Sequence, residues 1–286
     1  MKNVIVTLWL LAVTLGVQAQ GSVTYQRIDS LTVCRLLQEA AGRPSADVPM
    51  FLATSFLGRP YVGQTLEVND EEQLVVNTRQ LDCTTFVESV TALTLCVRAG
   101  ERSFNDYVRQ LRQLRYRDGH IEGYSSRIHY FSEWIARNQQ RGVVRELQAP
   151  RTVFTARQQV KVDFMSRHPQ LYKALRQHPE QVAAIARMER NVSGLSAYYI
   201  PKAQLKNSQP LREVIADGDI IAIVTSKKGL DIAHLGFASW HRDGQLHLLN
   251  ASSAYKKVVD DSATLYDYLQ THPSFTGIRI IRITKN

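Results

Sequence analysis

The sequence predicts an α+β fold, with helices in the first two thirds and an antiparallel sheet in the last. Three observations predict it. After Cys83, apolar residues recur at Phe86, Val87, Val90, Leu93 and Val97, the spacing of an amphipathic helix. Far downstream, 220–224 is a continuous apolar run, and the stretches 233–240 and 245–250 flank Arg242-Asp243-Gly244, a hairpin signal. Finally, the helical patterns precede the strand patterns instead of alternating with them, which favours α+β over a wound parallel sheet.

In chain order, residues 1–19 read as a secretory signal. Lys2 supplies the charge, 4–17 is almost wholly apolar, and Val17-Gln18-Ala19 offers a cleavage site before Gln20. The apolar run is shorter than the about 20 residues of a spanning helix, so an exported protein without stable membrane insertion is expected. No cysteine stands directly after the cleavage site, so no lipid anchor is expected there. About 265 residues then remain, enough for one large domain or two small ones. Residues 20–286 are read as a single domain, with N-terminal helices at 20–57, a helical region at 100–210 and the sheet at 217–286.

Within that domain, Ile28, Leu31, Val33, Leu36 and Leu37 mark a helix over 27–42, closed by Gly42-Arg43-Pro44-Ser45. A short helix is expected at 47–57, a turn-rich loop at 57–63, and small strands at 66–69 and 73–77. The Cys83 helix runs to Gly100. Further helices are expected at 103–115 and, around Tyr130, Phe131 and Trp134, within 126–138. Two short ones follow the echo Arg167-His168-Pro169 and Gln177-His178-Pro179, since proline suits a first helical turn. A last strand covers 277–284.

The hairpin register bears on function. A three-residue loop with Gly244 in the left-handed region would pair His241 with Gln245. Asn250 then lies diagonally beside His234, about 7–8 Å away at the backbone. Leu235, Phe237, Leu249 and Ala251 share one core face. His234, Gly236 and Ala238 share the other, where a helix end or ligand would fit. A two-residue turn would separate His234 from Asn250, and the side chains favour the longer loop.

The formal charge is +9 and the pI about 9.5. A basic exported protein suits an anionic envelope surface or wall polymer, although such charge also simply aids solubility. Nucleic acid is a poor partner for a chain without a recognisable binding motif. Three cysteines are present, Cys34, Cys83 and Cys96, and an odd count leaves at least one free thiol. Cys83 and Cys96 lie roughly 20 Å apart on one helix at about 1.5 Å per residue, too far to bridge. A Cys34–Cys96 bond stays open, but two buried inert thiols are expected. Asp82 can cap the Cys83 helix, with Thr85 and Glu88 as a second start signal one turn later. At such a helix start the macrodipole should lower the thiol pKa from about 8.5 toward neutrality. A cysteine nucleophile needs a base and a group to orient it; Cys83, His234 and Asn250 can fill these roles.

The stretch from Leu81 to Glu88, the preceding Gly58-Arg59-Pro60-Tyr61, and the later Asp231-Ile232-Ala233-His234-Leu235-Gly236 with Leu249-Asn250-Ala251-Ser252-Ser253 resemble the NlpC-type papain-like cell-wall hydrolases. Together with Arg115-Tyr116-Arg117-Asp118-Gly119 and Tyr124-Ser125-Ser126-Arg127-Ile128-His129-Tyr130, they resemble the N-acetylmuramoyl-L-alanine amidase-like branch, over roughly residues 50 to 285. The resemblance implies a papain-like core, with the nucleophile helix packed on an antiparallel sheet or partial barrel and a helical specificity region inserted. It implies hydrolysis of the lactyl–L-alanine amide of peptidoglycan or soluble muropeptide fragments through a Cys83 thioester. His234 would act as acid and base, Asn250 would stand where the family often has histidine, and Tyr61, beside Asp82, would line the oxyanion site. Ser126, Arg127, His129, Asp231 and Ser252 are expected to bind substrate, Arg127 as a fork for stem-peptide carboxylates. A stem-peptide endopeptidase and a non-catalytic wall-binding module stay open. No zinc motif or phosphate loop occurs, so no metal or organic cofactor is expected.

Overall fold

A computed structural model describes residues 23–284; the expected signal segment lies outside the described residues. The chain opens with β1 (Val23–Thr24), α1 (Arg27–Glu39), α2 (Val48–Thr54), β2 (Leu74–Val75), α3 (Cys83–Arg98) and α4 (Phe104–Arg115). Next come α5 (Phe131–Gln140), β3 (Val144–Leu147), β4 (Ala156–Gln159), α6 (Phe164–Arg167), α7 (Lys173–Gln177), α8 (Val182–Val192) and β5 (Ser196–Pro201). The last part holds α9 (Ser208–Arg212), β6 (Ile220–Thr225), β7 (Ile232–Trp240), β8 (Leu246–Ser252), β9 (Lys257–Asp260), α10 (Leu265–Gln270) and β10 (Phe275–Ile283).

An antiparallel sheet of order β4-β5-β10-β6-β7-β8-β9 forms the centre, and β3 also pairs with β10. One edge of β10 runs along β6, while the other is shared by β5 at Gly277 and Ile278 and by β3 from Ile280 onward. The mixed helix-and-sheet class is as expected, but the order is not helices first and sheet second. The stretch 144–201, read as helical, supplies three strands. β4 is polar and alternately half-exposed, so it lacks the apolar alternation that marks a strand; only its pairing with β5 makes it one. The strand expected at 66–69 does not form, and 73–77 yields only Leu74-Val75, paired in parallel with Val23-Thr24. The helix expected within 126–138 forms around Phe131 and Trp134 as α5; the residues before it are held extended, since Ile128 N–H donates to Arg115 C=O (2.8 Å) and Tyr116 bridges Arg127.

α3 is the central helix. Every residue from Thr85 to Cys96 is buried. On one side it packs against α1, α2 and α4, and on the other against the sheet, where Phe86 meets Phe237 edge-on at 5.4 Å. Leu235, Phe237, Leu249 and Ala251 share this face, as expected. The helix thus lies on the opposite face from the one left open for it. A second core fills the other face, where Ile221, Ile223, Ala238 and Leu248 pack against Leu265 and Leu269 of α10. Sealing both faces hides β6 entirely, which is why that strand reads as an unbroken apolar run. A third, smaller core under α6–α8 joins Tyr124, Tyr130, Met165 and Ile185.

The hairpin adopts the three-residue loop. Trp240 pairs with Leu246, His241 N–H donates to Gln245 C=O, and Gly244 has φ +78°. His247 is buried, its ring stacked with that of His241 at a centroid distance of 3.6 Å. All three cysteines are free; Cys96 is buried but Cys34 is exposed, against expectation. Among the described residues, no helix is long and apolar enough to cross a membrane.

Candidate active site

Cys83 is the first residue of α3. Asp82 caps it: its carboxylate accepts from Thr85 N–H at 2.8 Å, and Thr85 Oγ1 accepts from Asp82 N–H at 2.9 Å. Of the two predicted starts, the earlier one is used. Glu88, offered as part of the later one, turns inward and pairs with Arg115 at 2.7 Å, both side chains buried.

The segment 60–62 locks this helix start in place. Leu81 N–H donates to Pro60 C=O, Val62 N–H donates to Leu81 C=O, and on its other side Tyr61 N–H donates to Lys256 C=O. Tyr61 therefore sits between the Cys83 turn and the β8–β9 turn. Burial, then Cys83 and Asp82, pushes its phenol up to about 12, so the hydroxyl keeps its proton and stays a donor.

His234 comes from β7, beside an irregularity in the sheet. Ile223 pairs with His234 but Val224 pairs with Ile232, leaving Ala233 without a partner. Such bulges re-aim neighbouring side chains. His234 Nε2 lies 2.9 Å from Asn250 Oδ1, and Asn250 Nδ2 donates to Leu248 C=O at 3.2 Å. With its NH2 so committed, Asn250 must present its oxygen to the ring. Nε2 therefore carries the proton and Nδ1 is left as the free base. Burial pulls the His234 pKa below its ordinary value, which keeps the ring neutral.

Cys83 and His234 line one cavity of about 200 Å³, with His129, Tyr130, Met165 and Asp231 among its other walls. The thiol itself does not match the expectation. Burial first, and the Asp82 carboxylate second, push Cys83 up to about 12, although the backbone N–H groups of Leu235 and Thr84 favour the anion. The helix start positions the sulfur but does not ionise it.

The remaining expected contacts divide. His129 and Asp231 do line the cavity. His129 Nε2 donates to Tyr124 C=O at 2.8 Å, and burial together with Arg127 holds its pKa well below the ordinary value. Asp231 accepts from Ser132 N–H at 2.6 Å, at the start of α5. The other three are occupied structurally. Arg127 is buried against Glu67 (2.5 Å) and Glu72 (3.5 Å), with Tyr124 beneath it, so its charge is already paired within the protein. Ser126 Oγ donates to Gly123 C=O and closes a turn. Ser252 Oγ accepts from Tyr255 N–H in the β8–β9 turn. Sequence reasoning missed Tyr130 and Met165 as cleft walls. Both are held by the buried Glu189, which accepts from Tyr130 Oη at 2.7 Å and Met165 N–H at 2.9 Å. Nothing in the local pattern around Glu189 signals that role. Among the described residues, no group of three or more His, Cys, Asp or Glu side chains could hold a metal ion.

Comparison with known proteins adds a family. The model of the AmiA-like, N-acetylmuramoyl-L-alanine amidase-like family matches residues 52–278. A solved structure of an N-acetylmuramoyl-L-alanine amidase from Bacteroides uniformis is 39% identical, with TM-score 0.78, covering 84% of this chain and 99% of that one. A putative xylanase from Bacteroides fragilis is 41% identical, with TM-score 0.76, covering 82% and 99%. A protein from Legionella pneumophila, 23% identical over 89% and 94% with TM-score 0.69, shares the fold. No curated protein matches. With the match spanning both Cys83 and Asn250, the chain belongs to the AmiA-like family of N-acetylmuramoyl-L-alanine amidase-like hydrolases.

Proposed function

We propose that this protein is an exported cysteine amidase, papain-like in mechanism, that cleaves the amide between the muramyl lactyl group and L-alanine in peptidoglycan or its fragments. The observation that carries the proposal is the 2.9 Å His234–Asn250 hydrogen bond at a cavity shared with Cys83. His234 Nδ1 takes the thiol proton as Cys83 Sγ attacks the lactyl carbonyl carbon. The oxyanion is held by Cys83 N–H and the protonated Tyr61 hydroxyl; one such donor is worth about 3–4 kcal/mol in an acyl transfer. Collapse breaks the C–N bond, and the departing L-alanine nitrogen takes the proton from His234. Water, deprotonated by His234 Nδ1, then attacks the thioester carbonyl; the C–S bond breaks, the lactyl carboxylic acid leaves, and Cys83 Sγ takes the proton back from His234.

A glycosidase reading, suggested by the name of one relative, fits less well. Glycoside hydrolysis uses a pair of carboxylates. Among the described residues lining the cavity, Asp231 is the one carboxylate, and it is bonded to the Ser132 amide.

The test is mass spectrometry of a defined muropeptide after digestion. The expected products are a lactyl-bearing sugar and an intact stem peptide, with none formed by Cys83→Ala. A cleaved stem peptide still on sugar would make the protein an endopeptidase. Turnover by Cys83→Ala would remove the nucleophile assignment.

A further inference from the structure

We propose that a second groove, at the far end of the β7–β8 ribbon, binds carboxylate-bearing peptides. It is a cavity of about 830 Å³ beside the hairpin turn, with Lys206, Arg212 and Arg242 in its lining against the single carboxylate of Glu213. That volume lies within the range of small-ligand sites, about 300–1,000 Å³. Trp240 stands six residues beyond His234 on β7, roughly 20 Å at about 3.3 Å per residue, so the groove is separate from the catalytic cleft.

The cations are available and the floor is rigid. Lys206, Arg212 and Arg242 are exposed and form no ion pair among the described residues. The Arg212 guanidinium lies 4.8 Å over the Trp240 ring, whose Nε1–H is fixed by Ile215 C=O at 2.9 Å. The acids nearest the turn are committed elsewhere. Asp243 accepts from Gln245 N–H and lies 3.1 Å from His247 Nε2, and Asp260 accepts from Ser239 Oγ at 3.0 Å. An exposed guanidinium resting over an indole offers its N–H fork to a planar carboxylate.

An adjoining cavity of about 440 Å³ shares Lys206 and Asn207 and is walled by Val153, Ala203, Pro210 and Leu211. Cationic at one end and apolar at the other, the pair of cavities fits a short peptide that carries carboxylates and small apolar side chains. Identifying the peptide as a stem peptide rests on the amidase reading; the groove itself does not.

Trp240 reports on the groove by fluorescence. The probe is the free tripeptide L-Ala-γ-D-Glu-L-Lys, titrated into full-length Cys83→Ala protein so that turnover plays no part. The expected result is a saturable change that is absent in Trp240→Phe and weakens at least tenfold in Arg212→Glu/Arg242→Glu. Arg242→Ala, at an exposed turn, should weaken binding severalfold and covers the case where the double variant does not fold. A change that is retained in Trp240→Phe and is equally insensitive to the arginine variants would place binding in the catalytic cleft and overturn the proposal. Affinity indifferent to both arginine variants, or co-sedimentation with phosphatidylglycerol vesicles without peptide binding, would overturn it as well. Because no step is catalytic, the groove can fail while the amidase stands, and the reverse.

Discussion

Gly236 offers a sharp test of how the sheet sets the catalytic geometry. It lies on β7 two residues from His234 and has an ordinary backbone conformation, so any effect of adding a methyl is steric. A Cβ there would stand 2.7 Å from Leu249 C=O, 2.8 Å from Leu248 Cδ1 and 3.0 Å from Asn250 Cβ. Ordinary non-bonded contact lies at about 3.5 Å, so Gly236→Ala must part β7 from β8 by roughly 0.5–1 Å. Asn250 moves with β8, and its 2.9 Å bond to His234 would open beyond the useful range for a hydrogen bond. Overpacking of this kind costs about 1–3 kcal/mol of stability. A catalytic group misplaced by about 1 Å costs up to 10²-fold in rate. The assay is kcat/KM for muropeptide cleavage by Gly236→Ala, Asn250→Ala and the double variant, with Tm alongside. Each single change should lower kcat/KM by roughly 10–100-fold. The double should lose little more than Asn250→Ala alone, because both act through one bond. Gly236→Ala activity within twofold of the parent, or a double variant that loses the full product of the two, would refute the reasoning.

Other expectations follow from the same contacts. Because burial lowers the His234 pKa, the free base survives mild acid; the acidic limb of kcat/KM should fall below pH 6.5, the ordinary histidine value, and a limb centred above it would contradict this. Alkylation of Cys83 by iodoacetamide should keep rising through pH 9, since its thiol is pushed up to about 12, and exposed Cys34 should react first near neutrality. Arg127→Ala should lower Tm because it leaves Glu67 and Glu72 unpaired, whereas a selective rise in KM with Tm unchanged would restore it as a substrate fork. Glu88→Ala strands Arg115 inside the protein and should cost about 3–5 kcal/mol in denaturant unfolding; a loss under 1 kcal/mol would mean the arginine finds water.

The parts of the fold written in local pattern were legible. Residues 220–224 and the Asp243-Gly244 turn announced the central ribbon, and the turn length fixed which residues could face His234. The Cys83 helix was legible for the same reason. Pairing between distant segments was not. β3, β4 and β5 are short, and β4 is polar; they become strands only where β10 or a neighbouring strand offers hydrogen bonds. The bulge at Ala233 that re-aims His234 is likewise a property of two strands and is absent from either sequence alone. Arg127, by contrast, looked like a free cation because its partners Glu67 and Glu72 come from a loop some 60 residues earlier.

The thiol shows where local reading goes wrong in kind. A helix start attracts negative charge, and a cysteine there is ordinarily acidified. The same start, however, is built by a carboxylate. Asp82 satisfies the orphan Thr85 amide and, one residue from the sulfur, adds a negative charge of its own. Burial first, and this charge second, outweigh the hydrogen bonds from Leu235 and Thr84, which favours the thiol over a preformed ion pair. On the proposed mechanism, proton transfer to His234 would then accompany the attack. Asp82→Asn should separate the two effects. It keeps a capping oxygen for Thr85 and removes the charge, so the Cys83 alkylation profile should shift to lower pH with little loss of Tm. An unshifted profile would leave burial alone as the cause.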